Sequence, residues 1–501
     1  MQYKIFLIFS AVLTLFSSPG STNAEEIEKI NLRSAVDQAL NNNLNMQLRR
    51  EDVNSAEGAT LAAEGIFDIL IEGEASVQSE ELTPIAIGGA EREDTSQWSA
   101  EASKLFTTGT SIVLGWNNSR YKSDGGNLFI PFDTGTDAFD EDTFLINPSY
   151  NTGLTLGLRQ PLLRGFGQDV QTAAIRSTQK QLEAATYQVN SEAANLAAEV
   201  KIAYWNLVFA WQDIEVQKLA LTLAKKLLDE TKAKINAGRL AEVEIYQPQS
   251  EVARREEQLI SAERAIGTAE DELKLLLNSD RWPTTFQPTD LPATEPVQLD
   301  LAAIENNALK SRPDIKAADL LAQAAKLDTK RAKDDILPDL ALIGGVGFAG
   351  TSDTYGDSID NSLRDPDNLW QVGVSFSMPL QNRIARGNYR QAKASYNRAI
   401  TNAELLRQQI RRAVRTTVRD VQLAIKALEA TQKTSLAMLK SLEAEQAKFA
   451  SGRSTTLDVL TAQEAYSQAL SQQNLTKINY AATLAELDRI QGLVTFSSSQ
   501  L

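Results

Sequence analysis

Between Leu182 and Ile235 the chain contains neither proline nor glycine, and its apolar residues recur every seven positions. Ala193, Val200, Leu207, Ile214, Leu221, Leu228 and Ile235 form one series; Leu182, Val189, Leu196, Ala203 and Ala210 form the one interleaved with it. Such a repeat keeps a narrow stripe facing a partner helix along the whole length, which is a coiled-coil seam rather than the broad face of a globular helix. A later stretch repeats it more weakly through Val414, Val421, Leu428, Leu442 and Phe449, with Ile410, Ala424 and Met438 between. Helices from about residue 167 to 237 and from about 383 to 450 would each reach ~100 Å at ~1.5 Å per residue. No single globular domain needs rods of that length.

The two rods belong to two halves of one repeated plan. Ala39-Leu40 to Met46 parallels Ala308-Leu309 to Ile315, Phe67-Asp68-Ile69 parallels Pro338-Asp339-Leu340, Gln160-Pro161-Leu162 parallels Met378-Pro379-Leu380, and Ala237-Gly238-Arg239 parallels Ser451-Gly452-Arg453. The first half carries about fifty extra residues between its second and third landmarks. Each half reads as helix, strands, long helix, turn and returning helix. Returning helices are expected over about 242–278 and, opening the second half, 301–335, with Pro283, Pro288, Pro292 and Pro296 interrupting the chain between them.

The strands alternate with period two. Trp370, Val372, Val374, Phe376 and Met378 fall on one face, as do Leu154, Leu156 and Leu158, and Ile69, Ile71, Ala75 and Val77; small and polar residues occupy the other. Strands of about ten residues, apolar on one side and polar on the other, suit a barrel with lipid outside and a wet lumen. A half-buried soluble sheet gives the same alternation, and the rods favour the barrel. Trp98, Trp116, Trp370 and Phe348 are expected near strand ends, where interfacial aromatics belong.

The N-terminus reads as a secretory leader, with Lys4, an apolar run from Ile5 to Phe16 and a small-residue site at Thr22-Asn23-Ala24. That run is shorter than the ~20 residues a membrane-spanning helix needs. Composition removes further options. With no histidine and no cysteine, imidazole metal sites, Ser-His catalysis and disulfides are impossible. A net charge of −15 disfavours nucleic acid as a partner. Nothing requires a cofactor: Gly344-Gly345-Val346-Gly347 sits inside a strand and opens no helix, so it is no nucleotide loop. The acidic stretches Asp133 to Asp142 and Asp353 to Asp367 lack the spacing of a calcium loop and read as solvated loops.

Pro161 and Pro379 mark strand-to-helix junctions, since proline cannot donate to a β-ladder but is tolerated in a helix's first turn. Gly238 and Gly452 end the long helices, and Thr455 with Asp458 has the spacing of a capping box. The segment from Gly452-Arg453-Ser454-Thr455 through Leu457-Asp458-Val459-Leu460 to Gln463 resembles the hairpin-tip motif of the TolC-like outer-membrane efflux family, and Gln160-Pro161-Leu162-Leu163-Arg164-Gly165 its strand-to-helix junction.

The resemblance spans essentially the whole mature chain. It implies a mixed α and β fold in which an outer-membrane β-barrel segment continues into coiled-coil hairpins forming a periplasmic tunnel, built as a homotrimer. It also implies an inner-membrane transporter and a periplasmic adaptor as partners, outer-membrane lipid around the barrel, and passive export without catalysis. On that plan 1–24 is the leader, 25–67 the first periplasmic helix, 68–160 barrel strands and outer loops, 161–282 the first hairpin and 283–300 an equatorial linker. Then 301–337 is the second periplasmic helix, 338–380 further strands, 381–492 the second hairpin and 493–501 a tail.

The family closes its tip with acidic residues and an inter-helix tether. Asp458 matches the first acidic position and Glu244 takes its place in the other repeat; the next acidic position is Thr461 here. The tethering tyrosine falls on Phe449, without a hydroxyl, and the tethering arginine is shifted to Arg453, with Arg239 its counterpart in the first repeat. The resemblance therefore implies a single acidic ring and a looser lock. For Asp458 a helix-capping role alone is the plain alternative.

The extra residues of the first half hold a further hairpin, Trp98 to Leu105 and Thr110 to Asn117 around Thr107-Thr108-Gly109, where the second half has only an acidic loop from Thr351 to Leu369. The family pattern of two strands per half gives twelve in a trimer; a hairpin within the wall would raise that to eighteen, and outside it would stand as a lid. Trp98, Trp116 and Lys104 favour the wall. A secreted or surface coiled-coil scaffold or adhesin would also explain the rods and leader, but not alternating strands before each Pro-Leu; a carboxylate-based hydrolase has no motif to support it.

Overall fold

The computed structural model describes residues 27–83, 90–124 and 147–493. The leader, the acidic stretch from Asp133 to Asp142 and the tail after Leu493 lie outside the described residues.

The chain opens on a short strand, β1 (Ile27–Ile30), followed by α1 (Leu32–Asn42) and α2 (Leu44–Glu64). The first repeat's strands are β2 (Ile69–Glu81), β3 (Arg92–Leu105), β4 (Ser111–Ser123) and β5 (Ser149–Pro161). A single turn, α3 (Gln168–Gln171), leads into α4 (Ala173–Asn236), and α5 (Tyr246–Leu277) returns from its tip. A second short strand, β6 (Thr285–Pro288), precedes α6 (Leu301–Ser311) and α7 (Pro313–Asp334). Then come β7 (Asp339–Ser352), α8 (Tyr355–Arg364), β8 (Asp367–Ser377), α9 (Arg383–Ala450) and α10 (Thr456–Gln491). With 64 and 68 residues, α4 and α9 are each about 100 Å long.

The structure departs from the sequence-based expectations in four places. Each shorter helix, expected over 25–67 and 301–337, is broken at the matched landmark. Asn43 interrupts the first, its side chain accepting from the Asn45 amide at 2.8 Å and donating to the Leu276 carbonyl at 2.9 Å. Pro313 interrupts the second by starting a new helix where no amide hydrogen is needed. The 25–67 segment also opens with β1, which pairs in parallel with β6 inside the linker expected to be irregular. The acidic loop between β7 and β8 contains α8. Trp98 and Trp116 lie well inside β3 and β4, because these strands are longer than the expected segments.

Two residues of α4 pin the linker: the Trp211 indole donates to the Phe286 carbonyl at 3.0 Å, and Tyr204 gathers several groups at once. Tyr204 is fully buried, and its hydroxyl lies 2.9 Å from Asp290 Oδ2 and 3.2 Å from the Ile30 carbonyl while accepting from the Thr289 and Asp290 amides. Asp290 Oδ2 in turn accepts from the Leu32 amide at 2.6 Å. Burial pushes the Tyr204 hydroxyl up to about 12, so it stays a neutral donor throughout the physiological range.

Around this belt the upper half of α4 buries Val200, Leu207 and Ile214, as the heptads require, against Val36, Leu273, Leu277 and Phe286. Lower down the buried positions are Val216, Ala220, Ala224, Leu227 and Thr231, whereas Leu221, Leu228 and Ile235 are only half-buried. A helix of about 3.6 residues per turn drifts against a seven-residue repeat, so the packed stripe migrates. In the second repeat Ile410, Val414 and Val418 of α9 pack on Ile304, Ala308, Ile315, Leu487 and Ile490. Lys201 and Asp488 form an ion pair of 2.7 Å between α4 and α10. Both side chains are buried.

Six strands form one antiparallel sheet in the order β2-β3-β4-β5-β7-β8. The extra hairpin, β3 and β4, is thus inserted into the sheet in full register. One face of the sheet is the more apolar, although Leu70, Val113 and Ile343 lie on the other. Ile71, Ala102, Leu114, Leu156, Val346 and Trp370 lie side by side across all six strands. The neighbouring row on the other face is Glu72, Glu101, Gly115, Thr155, Gly347 and Leu369. At the helix-side end Asp339 draws in Arg159 at 2.5 Å and Arg164 at 2.7 Å, fixing the sheet to the first junction. The outer strands β2 and β8 are exposed along nearly their whole lengths. Among the described residues no helix is long and apolar enough to cross a membrane.

Candidate functional site

The two long helices end in the same way. Gly238 and Gly452 adopt left-handed φ values of 66° and 75°, a conformation disfavoured for any residue with a Cβ. Past each glycine the next amide returns to the helix: Arg239 to the Lys234 carbonyl and Arg453 to the Lys448 carbonyl, both at 2.8 Å. Arg239 and Arg453 are therefore turn residues whose side chains stand exposed at the two tips.

The returning helices start differently. Before α10, the Asp458 amide donates to Thr455 Oγ1 at 3.2 Å, and Asp458 Oδ2 accepts from the Thr455 amide at 3.0 Å and its hydroxyl at 2.7 Å. This reciprocal capping box was legible from spacing alone. The Thr455 hydroxyl and amide hold the exposed Asp458 carboxyl below the usual aspartate range, so its charge is permanent at neutral pH. In the first repeat Glu244 lies half-buried in a 3₁₀ turn, Glu242–Ile245, ahead of α5.

Phe449 is not at the surface. Only 2 % exposed, it packs with Leu227 of α4 and Val459 of α10. Lys234, in the last turn of α4, places its ammonium 3.3 Å from the centre of the Phe449 ring and donates to the Phe449 carbonyl. Burial, aided by Arg239 and opposed by Glu230, holds this lysine below its ordinary range. The structure thus joins the tips through Lys234 where the sequence offered only a missing hydroxyl. Nothing in the one-dimensional pattern marked Lys234 beyond its being a cation in a helix's last turn. Nearby, Arg254 of α5 grips Glu464 of α10 through two bonds of 3.2 and 3.1 Å, which ties the returning helices together.

At the opposite end of the rods, Pro161 is the last residue of β5 and Pro379 lies just past β8. Beyond Pro379, Asn382 takes a left-handed φ of 46° and donates to the Ile336 carbonyl at 2.9 Å before α9 begins. Both prolines thus stand at strand-to-helix junctions.

Comparisons with known proteins agree with this architecture. A profile of the family described as outer membrane efflux protein matches residues 112–279 and 305–493. The chain is 22% identical over 332 residues to the outer membrane protein TolC of Vibrio cholerae, covering 66% of this chain and 74% of that one. It is 23% identical over 333 residues to TolC of Escherichia coli K12, covering 63% of this chain and 64%, a little under two thirds, of the relative. With the pyoverdine export outer membrane protein OpmQ of Pseudomonas aeruginosa the identity is 22% over 407 residues, covering 77% of this chain and 75% of that one. Among solved structures, the outer-membrane channel OprN superposes with a TM-score of 0.68 at 18% identity over 92% of this chain and 89% of that one. The CmeC channel of Campylobacter jejuni gives 0.65 at 17% identity over 92% and 85%. These superpositions establish a shared fold.

Proposed function

Because this chain belongs to the outer membrane efflux protein family, we propose that three copies close into one channel-tunnel giving passive exit to substrates brought by an inner-membrane pump and a periplasmic adaptor. The observation that carries this reading is the six-stranded sheet, apolar on one face, with both edges open. Unpaired edges are not tolerated in hydrocarbon, and six strands are too few to close. Since β2 runs away from the helices and β8 runs back towards them, β8 of one copy is antiparallel to β2 of the next. Three such sheets make a barrel of eighteen strands, wider than the twelve of the family pattern. The long hairpins then line a tunnel beneath it, and the apolar faces meet lipid.

The test is electrical. The purified protein in a planar bilayer should show discrete conductance steps and cross-link as a trimer. A detergent-solubilised monomer without channel activity would overturn the reading.

Asp458 and Glu244, at the free ends of the hairpins, are proposed to ring the periplasmic constriction. Three copies of Asp458, each permanently charged, concentrate negative potential around one axis, which favours cations and binds multivalent ones. Asp458→Ala should weaken cation preference and relieve block by trivalent cations added from the periplasmic side. Unchanged selectivity would leave Asp458 with its capping role alone.

A further inference from the structure

Helix α8 lies over the apolar face of the sheet rather than beyond its rim. By register, Trp98, Asn118, Thr152 and Gly350 form one row across β3, β4, β5 and β7, on the same face as the Leu156 row. α8 tracks this row. Tyr355 meets Trp98 edge-on with ring centres 5.2 Å apart, Ser358 Oγ is 3.0 Å from Thr152 Oγ1, and Ser362 passes over Gly350. A Cβ on Gly350 would overlap the backbone of Ser358 and Ser362, and both serines are buried, so the helix is seated as closely as backbones allow. Its axis therefore crosses the strands, and the helix lies flat against the sheet on the face the barrel would turn outward.

The orientation about that axis is also fixed. Asn361 donates to the Thr351 carbonyl at 3.1 Å, one residue beyond Gly350 towards the distal rim. At about 3.6 residues per turn, Ile359 and Leu363 fall on the opposite flank, turned towards the apolar band. Leu363 is 67 % exposed. The remaining surface carries Asp357, Asp360 and Arg364, the last two paired at 3.0 Å. Beside the helix's first turn, Trp98, Tyr150 and Tyr355 make an aromatic cluster, with the two tyrosine rings 6.3 Å apart. Rings with one polar edge collect at the height of lipid headgroups.

We propose that α8 is an interfacial helix whose Ile359–Leu363 flank rests in the outer leaflet of the membrane, with lipid as its occupant. The inference rests on the reading of the apolar face as lipid-facing. A second copy is the poorer fit, because α8 sits on the interior strands β5 and β7, set back from the open edges.

The chain has no cysteine, so single introduced thiols report without background. Full-length Leu363→Cys, Asp360→Cys and Val346→Cys variants, each carrying an environment-sensitive bimane label, would be reconstituted in phosphatidylcholine vesicles containing shallow or deep doxyl-labelled lipid, or exposed to aqueous iodide. The Leu363→Cys label should be quenched about twofold more by shallow doxyl lipid than by iodide. The Asp360→Cys label should respond to iodide and the Val346→Cys label to deep doxyl lipid. If Leu363→Cys responds to iodide like Asp360→Cys, or to neither quencher, while Val346→Cys still senses lipid, α8 is not interfacial and the inference falls alone. If lipid reaches none of the three, the membrane wall itself falls with it.

Discussion

The ammonium of Lys234 stands over the Phe449 ring and donates to the Phe449 carbonyl, so a cation of the first repeat closes the end of a helix in the second. Two attractions act on one charge. The ring face supplies about 0.5–2 kcal/mol depending on desolvation, and the C-terminal end of α9 carries partial negative charge.

Removing that charge should separate the tips. Lys234→Met keeps most of the side-chain length, yet spin labels on Lys232→Cys and Ser451→Cys should report a longer and broader distance distribution than in the parent. Lys234→Arg should retain most of the parental distribution. An unchanged distribution in the Met variant would mean that the Phe449, Leu227 and Val459 cluster holds the tips by packing alone.

The buried pair Lys201–Asp488 should behave asymmetrically. Lys201→Met leaves the buried Asp488 carboxyl without its ion-pair partner and should cost about 3–5 kcal/mol, whereas adding Asp488→Leu should recover most of that loss. Burial raises the Asp488 carboxyl above its usual range, more than Lys201 lowers it. A raised folded value stabilises most below the unfolded value, and that contribution is lost as pH rises through the folded one. Thermal melts of the parent should therefore fall relative to the double variant on leaving the acidic range.

Asp458 has the opposite sign. Its carboxyl is held below the ordinary value, so the capping box is intact above that value and is lost as pH falls through the lowered one. Amide exchange over residues 455–458, corrected for intrinsic rates, should stay slow at mildly acidic pH and rise only in strong acid. In Asp458→Asn the acid-induced rise should disappear.

Tyr204→Phe removes a hydroxyl that serves Asp290, the Thr289 amide and the Ile30 carbonyl together. Thr289 and Ile30 keep the backbone bond between them and Asp290 Oδ2 keeps the Leu32 amide, so the loss falls on the Asp290 amide and should cost about 1–3 kcal/mol. The melting temperature should drop, and proteolysis should first open the linker around residues 285–291.

Much of this molecule was legible beforehand because its strongest signals are periodic. The heptads of α4, the alternation in β5 and β8, the prolines at 161 and 379 and the Thr455–Asp458 box each express a local rule that one stretch of chain obeys by itself. What escaped depends on partners distant in sequence. β1 is too short to show a period and is a strand only because Thr285 to Pro288 lies beside it. α8 hides among acids because its buried face consists of serines, seated over a glycine that a hydropathy pattern does not register. Lys234 acquires its role from a residue in the other repeat, 215 positions away.

The open edges of β2 and β8 also bear on inheritance. In the trimer proposed above, a copy with a spoiled β8 edge would keep an intact β2 edge and folded rods, so it would join normal copies on one side and leave the ring unsealed on the other. Made alongside the normal chain, such a variant would draw good copies into leaking or degraded assemblies. Loss of function from an edge lesion should therefore be dominant, whereas a lesion that prevents the rods from folding, and so keeps the copy out of the ring, should be recessive.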